Sequence, residues 1–316
     1  MEIQKERSSA LIREAEVNGM KPESVFGPYL FDGELCVLFG DENTGKSILA
    51  HDIAIFCSGG NSYWPTEFKP ATHTPAMYVD LEMTDKQYSM RYKGASAYIT
   101  NDLVRARLDI TGGSSEEIIQ AIIGEIIKTQ NRPDPIKLLI LDNLSYAMDS
   151  LHSAKEMKLL IRSLKELIKR FDITIILVAH CIKRKRGEPI VSNDLGGSKV
   201  IMNFVDSAMA IGTSKIGDDI KYLKQIKSRM APKMKEVRTL EICKKPYLHI
   251  KPLDLVKEED HLTGTYADAY MRKIITPRME PVIFEMRELG KSYEEIADYL
   301  NITTSAVDIY CHHKGI

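Results

Sequence analysis

ELCVLFGDENTGKSILAHDIAIFCSGG, residues 34–60, is the stretch that decides the fold. Residues 35–39 are continuously apolar, the pattern of a short strand buried on both faces. Residues 40–47, GDENTGKS, match GxxxxGK[ST], and from Lys46 a helix-length apolar stretch runs to Cys57 before Gly59 and Gly60 stop it. Strand, glycine loop and helix in that order make a phosphate cradle. Gly40 and Gly45 let the backbone amides of Asp41, Glu42, Asn43, Thr44, Gly45, Lys46, Ser47 and Ile48 wrap an anion. Lys46 brings a point charge to the β- and γ-phosphates, and the Ser47 hydroxyl is a metal ligand. ATP and Mg²⁺ are the expected cofactors.

Three more short apolar runs, 76–81, 137–141 and 173–179, read as further buried strands. The second ends in Asp142, the position from which a carboxylate orders the metal's water shell. The first ends in AMYVDLEMT, which offers Glu82 or Asp80 to align an attacking water. Alternation puts both on one side, so periodicity does not choose between them. Helices fall between the runs. Residues 153–170 carry Met157, Leu160, Ile161, Leu164, Leu167 and Ile168 on one face behind a Ser153–Glu156 capping box, and Ser114 with Glu117 opens another. The alternation, continuing to about residue 215, is that of an α/β domain. Beyond it, 222–230 and 236–242 read as strands joined by a turn at Ala231-Pro232-Lys233.

The polar, acidic stretch 254–272 reads as a linker, and 277–314 as three compact helices. In the last of these, Ser292 and Glu295 form a capping box and Ile296, Ala297 and Leu300 an apolar face. Asn301-Ile302 makes a turn, and Thr303 or Thr304 caps a final helix bearing Ala306, Val307 and Tyr310, the spacing of a helix-turn-helix. Residues 272–316 sum to 6 basic minus 7 acidic, −1, and the final helix offers only Ser305, His312, His313 and Lys314 for readout. Both duplex DNA and a protein-contact or ring-packing role therefore stand open for this module. The expected organisation is an N-terminal helical segment (1–24), an ATPase core (25–253), a linker (254–272) and a helix-turn-helix module (273–316).

Composition sets outer limits. The 316 residues suit two units, and 44% apolar with 28% charged residues exclude global disorder. No run approaches the roughly 18 apolar residues of a membrane span, so no membrane partner is expected. The start lacks the apolar region of a secretory signal. Five cysteines, odd in number and never in CxxC, exclude a disulfide scaffold or zinc knuckle and point to a cytoplasmic location. Net charge is 43 − 44 = −1, but the layout is uneven: residues 221–238 hold seven cations and one acid, and Lys183, Arg184, Lys185 and Arg186 are consecutive.

Several blocks resemble the hexameric helicases of the DnaB type, with a RecA fold, and their plasmid RepA-type relatives. DLEMTDKQYSMR (80–91) is similar to their E-M-x-x-x-Q-x-x-x-R segment at Glu82, Met83, Gln87 and Arg91. DLGGSKVIMNFVD (194–206) resembles a second block at Asp194, Leu195, Ser198, Ile201 and Asp206, and IKSRMAPK (226–233) a third. The resemblance, spanning roughly 25–240, implies a RecA-like P-loop NTPase core with a mostly parallel sheet, followed by the small all-α module. It implies Glu82 as the water-activating carboxylate and His180, where that family usually has Gln, as the γ-phosphate sensor. Lys227 and Arg229 would reach onto a neighbouring subunit's γ-phosphate. Lys183, Arg184, Lys185 and Arg186 would lie on a loop gripping single-stranded DNA inside a homo-oligomeric, hexameric ring. A replicative helicase or translocase is the leading expectation; an ATP-gated helix-turn-helix regulator and a RecA- or RadA-like repair ATPase are the alternatives.

Overall fold

The apolar run at 35–39 becomes the third strand of the chain, and the main sheet is built outward from it. The computed structural model describes residues 8–19, 21–108, 114–143, 154–182, 187–196, 198–264 and 267–316. The first two strands, β1 (Ser24–Phe26) and β2 (Leu30–Phe31), pair only with each other. Nine more form one sheet: β3 (Leu35–Gly40), β4 (Ala76–Asp80), β5 (Leu103–Arg107), β6 (Leu138–Asp142), β7 (Thr174–His180), β8 (Ser207–Thr213), β9 (Ile220–Lys227), β10 (Val237–Cys243) and β11 (His249–Val256). Their spatial order is β11-β10-β9-β8-β3-β7-β6-β4-β5. From β8 to β5 every pairing is parallel, whereas β9, β10 and β11 extend the sheet antiparallel.

Parallel strands need helices on both faces, and the sequence supplies them. On one face α2 (Lys46–Cys57) packs Leu49, Ile53 and Phe56 against Leu38, Ile140 and Val178. On the other, α4 (Ser115–Gln130), α5 (Ala154–Phe171) and α6 (Ser198–Phe204) cover Val37, Leu139 and Leu177. All six apolar residues expected on the face of α5 are buried. Each such side chain contributes roughly 1.5–3 kcal/mol of burial. The Ser114–Glu117 capping box forms as read, with both hydrogen bonds closed; Ser153 lies outside the described residues. The short helices α1 (Ser8–Val17) and α3 (Asp85–Arg91) complete this part of the chain.

Besides the short β1 and β2, three strands of the main sheet escaped the pattern reading. β5 reads LVRAR, half-exposed at the sheet edge, and its two arginines break any apolar run. The small residues of β8 conceal a buried strand, and lysine and proline interrupt β11, a half-buried strand at the other edge.

The expected linker at 254–272 is corrected. β11 continues to Val256, and α7 (Glu258–Thr263) and α8 (Ala267–Ile274) follow, burying His261 and Tyr270. Two of its acids are engaged: Glu258 accepts from the Ile190 amide and the Tyr222 hydroxyl and pairs with Lys224, and Asp254 pairs with Lys273. Acidity there marks paired carboxylates, which composition cannot distinguish from a solvated connector.

The C-terminal helices α9 (Met279–Glu288), α10 (Tyr293–Leu300) and α11 (Thr304–Lys314) fall where three helices were expected. Thr303 is the cap of α11, accepting from the Ala306 amide, and Asn301 makes the turn in a left-handed conformation. Together with α8 they share one apolar cluster with Ile216 and Ile220 at the β8–β9 turn. The module is therefore packed directly on the sheet. Among the described residues, no helix is long and apolar enough to cross a membrane.

Candidate active site

Strand register brings the motif residues to one edge. Gly40 pairs with His180 on one side and Ile211 on the other, and Asp80 pairs with Asp142. All are C-terminal ends of parallel strands, the edge where open α/β sheets take their ligands.

The loop of residues 40–47 has the required backbone. Gly45 sits at φ 91° as the N-cap of α2, and no side chain caps that helix end, so its first amides are left for an anion. Gly40 has no room for a side chain, since a Cβ would stand 2.5 Å from the Ile211 carbonyl oxygen. Thr44 is buried and donates to the Asp41 carbonyl at 2.9 Å, holding the loop's curl, while Glu42 and Asn43 are exposed. Lys46 is buried, and its ammonium donates to the carbonyls of Gly40 (3.0 Å) and Asp41 (2.6 Å). Burial pulls its pKa down, against the nearby Cys181, Asp142, Asp41 and Glu82.

Asp80 and Glu82 differ in their tertiary contacts. Asp80 is 1% exposed and fully engaged. Its Oδ1 accepts from the Glu82 and Met83 amides, and its Oδ2 takes both Nε (3.1 Å) and Nη2 (2.9 Å) of Arg105 from β5. Asp80 thus builds the turn, whereas Glu82 is exposed and turns its Oε2 to Asn143 Nδ2 at 3.2 Å. That amide also lies 3.1 Å from His180 Nε2. An amide nitrogen only donates, so Nε2 accepts and the imidazole proton sits on Nδ1. Nδ1 is buried without a hydrogen-bond partner. Burial and then the Lys46 charge hold the His180 pKa below its ordinary value, so the ring is neutral at pH 7 with one N–H to give.

Asp142 completes the edge. It is 2% exposed; Tyr78 donates its hydroxyl to Oδ2, and Oδ1 is buried without a hydrogen bond. Burial raises its pKa, opposed by Tyr78 and by the Ser47 hydroxyl beside it. An orphaned carboxylate oxygen next to a serine hydroxyl fits Mg²⁺, which takes few protein ligands and draws the rest from phosphate and water. Among the described residues, no cluster of three His, Cys, Asp or Glu side chains offers a self-sufficient metal site.

With this edge in place, the comparisons with known proteins are informative. Residues 4–186, more than half of the chain, match the family model described as an AAA domain. The chain belongs to the AAA domain family. No curated protein matches it. The AAA domain makes this a P-loop ATPase and hence a nucleotide-binding protein.

Other expected site residues of this AAA-domain protein lie elsewhere. Lys227 and Arg229 sit at the far end of the strands: Lys227 pairs with Ala208, level with Val37, about 10 Å back from Gly40 at 3.3 Å per residue. Lys227 donates to the Met202 and Val205 carbonyls at the end of α6, and Arg229 pairs with Asp206 at 2.7 Å while staying 53% exposed. Within the chain neither approaches Lys46. Lys183, Arg184, Lys185 and Arg186 lie outside the described residues. The base of their loop does not: Cys181 bridges Leu195, and the Gly196 amide donates to the His180 carbonyl.

Ser305, offered by the sequence for base readout, is 6% exposed and bonded to Asp219, and Thr303 donates to Glu241 at 2.8 Å. The N-terminus of α11 is therefore engaged with the sheet. Gln87 closes the capping box of α3 with Thr84, a structural use of a residue quoted for the resemblance. The sequence reading missed Asn143, although it directly follows Asp142, and Tyr78, whose signal was one aromatic hydroxyl in an aliphatic run.

Proposed function

We propose that this P-loop ATPase is Mg²⁺- and ATP-dependent and works as a ring-forming motor on single-stranded DNA, a helicase or translocase of the DnaB/RepA type. Lys46 and the loop amides hold the triphosphate, and Ser47 and Asp142 (through water) hold the ion, which when bound offsets phosphate charge. Glu82 orients and polarises the attacking water, Asn143 holds its carboxylate, and the free N–H of His180 serves the γ-phosphate. The Gly196–His180 backbone bond ties the 183–198 loop to this sensor, a short route from nucleotide to DNA grip.

The observation that carries the shared-site reading is the separation of Arg229 from Lys46. The nucleotide edge has one buried lysine of its own, and an exposed arginine waits at the opposite end of the same strands. Only a second copy can bring it onto the triphosphate, and repeating that head-to-tail contact gives a ring where the rotation closes and a helical filament where it does not. The engaged start of α11 favours protein contact for the C-terminal module over duplex reading.

The test is ATP turnover with and without single-stranded DNA, beside a mass measurement of the assembly. A monomer with DNA-independent turnover would reject the ring motor. Arg229→Ala is expected to lose hydrolysis by about 10³-fold while keeping ATP binding, and Lys46→Ala to lose both.

A further inference from the structure

Tyr78 interrupts a strand that reads AMYVD and is buried at all five positions. None of its ring reaches solvent. Phenylalanine would fill the same volume, so the hydroxyl is what distinguishes the residue, and its acceptor is Asp142 Oδ2. The partner oxygen, Oδ1, is buried, takes no hydrogen bond and belongs to the carboxylate beside the Ser47 hydroxyl.

The phenol is itself clamped. His51, one turn beyond Ser47 on α2, meets the Tyr78 ring edge-on at 5.5 Å and 83°. His51 stacks on Tyr92 at 3.8 Å, and its Nε2 is 2.7 Å from the Tyr88 hydroxyl. Arg105 covers Tyr88 at 4.2 Å while pairing with Asp80. This chain of rings fixes the Tyr78 hydroxyl relative to the helix that carries Ser47. An aspartate carboxylate turns freely about its last bond; a donor held against one oxygen fixes the plane of the group and so the direction in which the other oxygen points.

We propose that Tyr78 is a positioning residue for the divalent ion: by holding Oδ2 it keeps Oδ1 of Asp142 available beside Ser47. This rests on the Mg²⁺-dependent ATPase reading. The phosphate cradle does not involve Tyr78, so nucleotide binding without metal and the metal's contribution to it are separable.

Binding of a fluorescent ATP analogue to the full chain, measured with EDTA and then over a Mn²⁺ titration, reads both, with thermal melting alongside. In Tyr78→Phe the metal-free affinity should stay within about twofold of the wild type, and the Mn²⁺ midpoint should rise about tenfold or more. A midpoint within about twofold of the wild type overturns the proposal, as does a parallel fall of metal-free binding and melting temperature. A wild-type chain without any metal effect would reject the Mg²⁺ reading along with it. A metal effect kept intact in Tyr78→Phe rejects the role of Tyr78 alone.

Discussion

His51 sits at the centre of the rings behind the active site, and its burial makes a quantitative pH prediction. It is wholly buried, and desolvation, then the charges of Arg91 and Arg105, pushes its pKa from 6.5 down to about 3. A depressed folded-state pKa gives stability that is complete above the unfolded value and is lost as pH falls toward the folded one. Between pH 6.5 and pH 5 the unfolded chain takes up a proton at this residue and the folded chain does not. At about 1.4 kcal/mol per pH unit, those 1.5 units remove about 2 kcal/mol from the folded state.

The perturbation is His51→Phe, which keeps a ring for the Tyr92 stack and removes the titration. Loss of the Tyr88 hydrogen bond costs the same at every pH, so it drops out of the pH difference. Burial also depresses His261, to about 4, and His249, but both proteins share those residues. Urea unfolding at pH 7, 6 and 5 should therefore show the wild type losing about 2 kcal/mol more than the variant across the range. Parallel losses would mean that folded His51 accepts a proton near its ordinary pKa, and the burial argument would be refuted.

Three further outcomes follow from the contacts. Glu82→Gln should cut turnover at least about 100-fold with ATP binding intact, whereas Asp80→Asn should lower the melting temperature by breaking the ion pair of buried Asp80 with Arg105, at a cost of about 3 kcal/mol; selective loss of turnover in Asp80→Asn with unchanged melting would reverse these assignments. Gly45→Ala forces a side chain into a left-handed conformation, at about 1–2 kcal/mol, with its Cβ 3.1 Å from Ile242 Cδ1, and should weaken nucleotide binding in an equilibrium assay. Glu241→Leu takes the shared carboxylate acceptor from the Tyr270 and Thr303 hydroxyls, at about 2–3 kcal/mol, and limited proteolysis should then cut between β11 and α8 faster than in the wild type.

The C-terminal module shows how a motif and its surroundings can point in different directions. Its capping box, left-handed Asn301 and Thr303 cap are all local devices, and they build the helices that their spacing predicts. Where those helices sit is set by Asp219 and Glu241, 86 and 62 residues away from Ser305 and Thr303. These contacts occupy the helix end that a duplex reader would present to base edges.

The same division runs through the whole chain. GDENTGKS was legible because a phosphate cradle is made by eight consecutive residues, and the strands leading to Gly40, Asp142 and His180 were legible because burial on both faces leaves continuous apolar runs. The Ser114–Glu117 and Ser292–Glu295 capping boxes, closed over three residues, were legible for the same reason, while that of Thr84 and Gln87 went unread. Asp80 and Glu82 could not be separated along the chain, since both face one side of a strand; Arg105, on a strand 25 residues away, engages Asp80 and leaves Glu82 to Asn143. Nor could sequence alone show that Tyr78 finds Asp142 across 64 residues, or that Arg229 stands at the far end of the sheet from Lys46. Each of these depends on strand order and register, which form only when distant segments pair, so tertiary structure alone decides which groups share the active site.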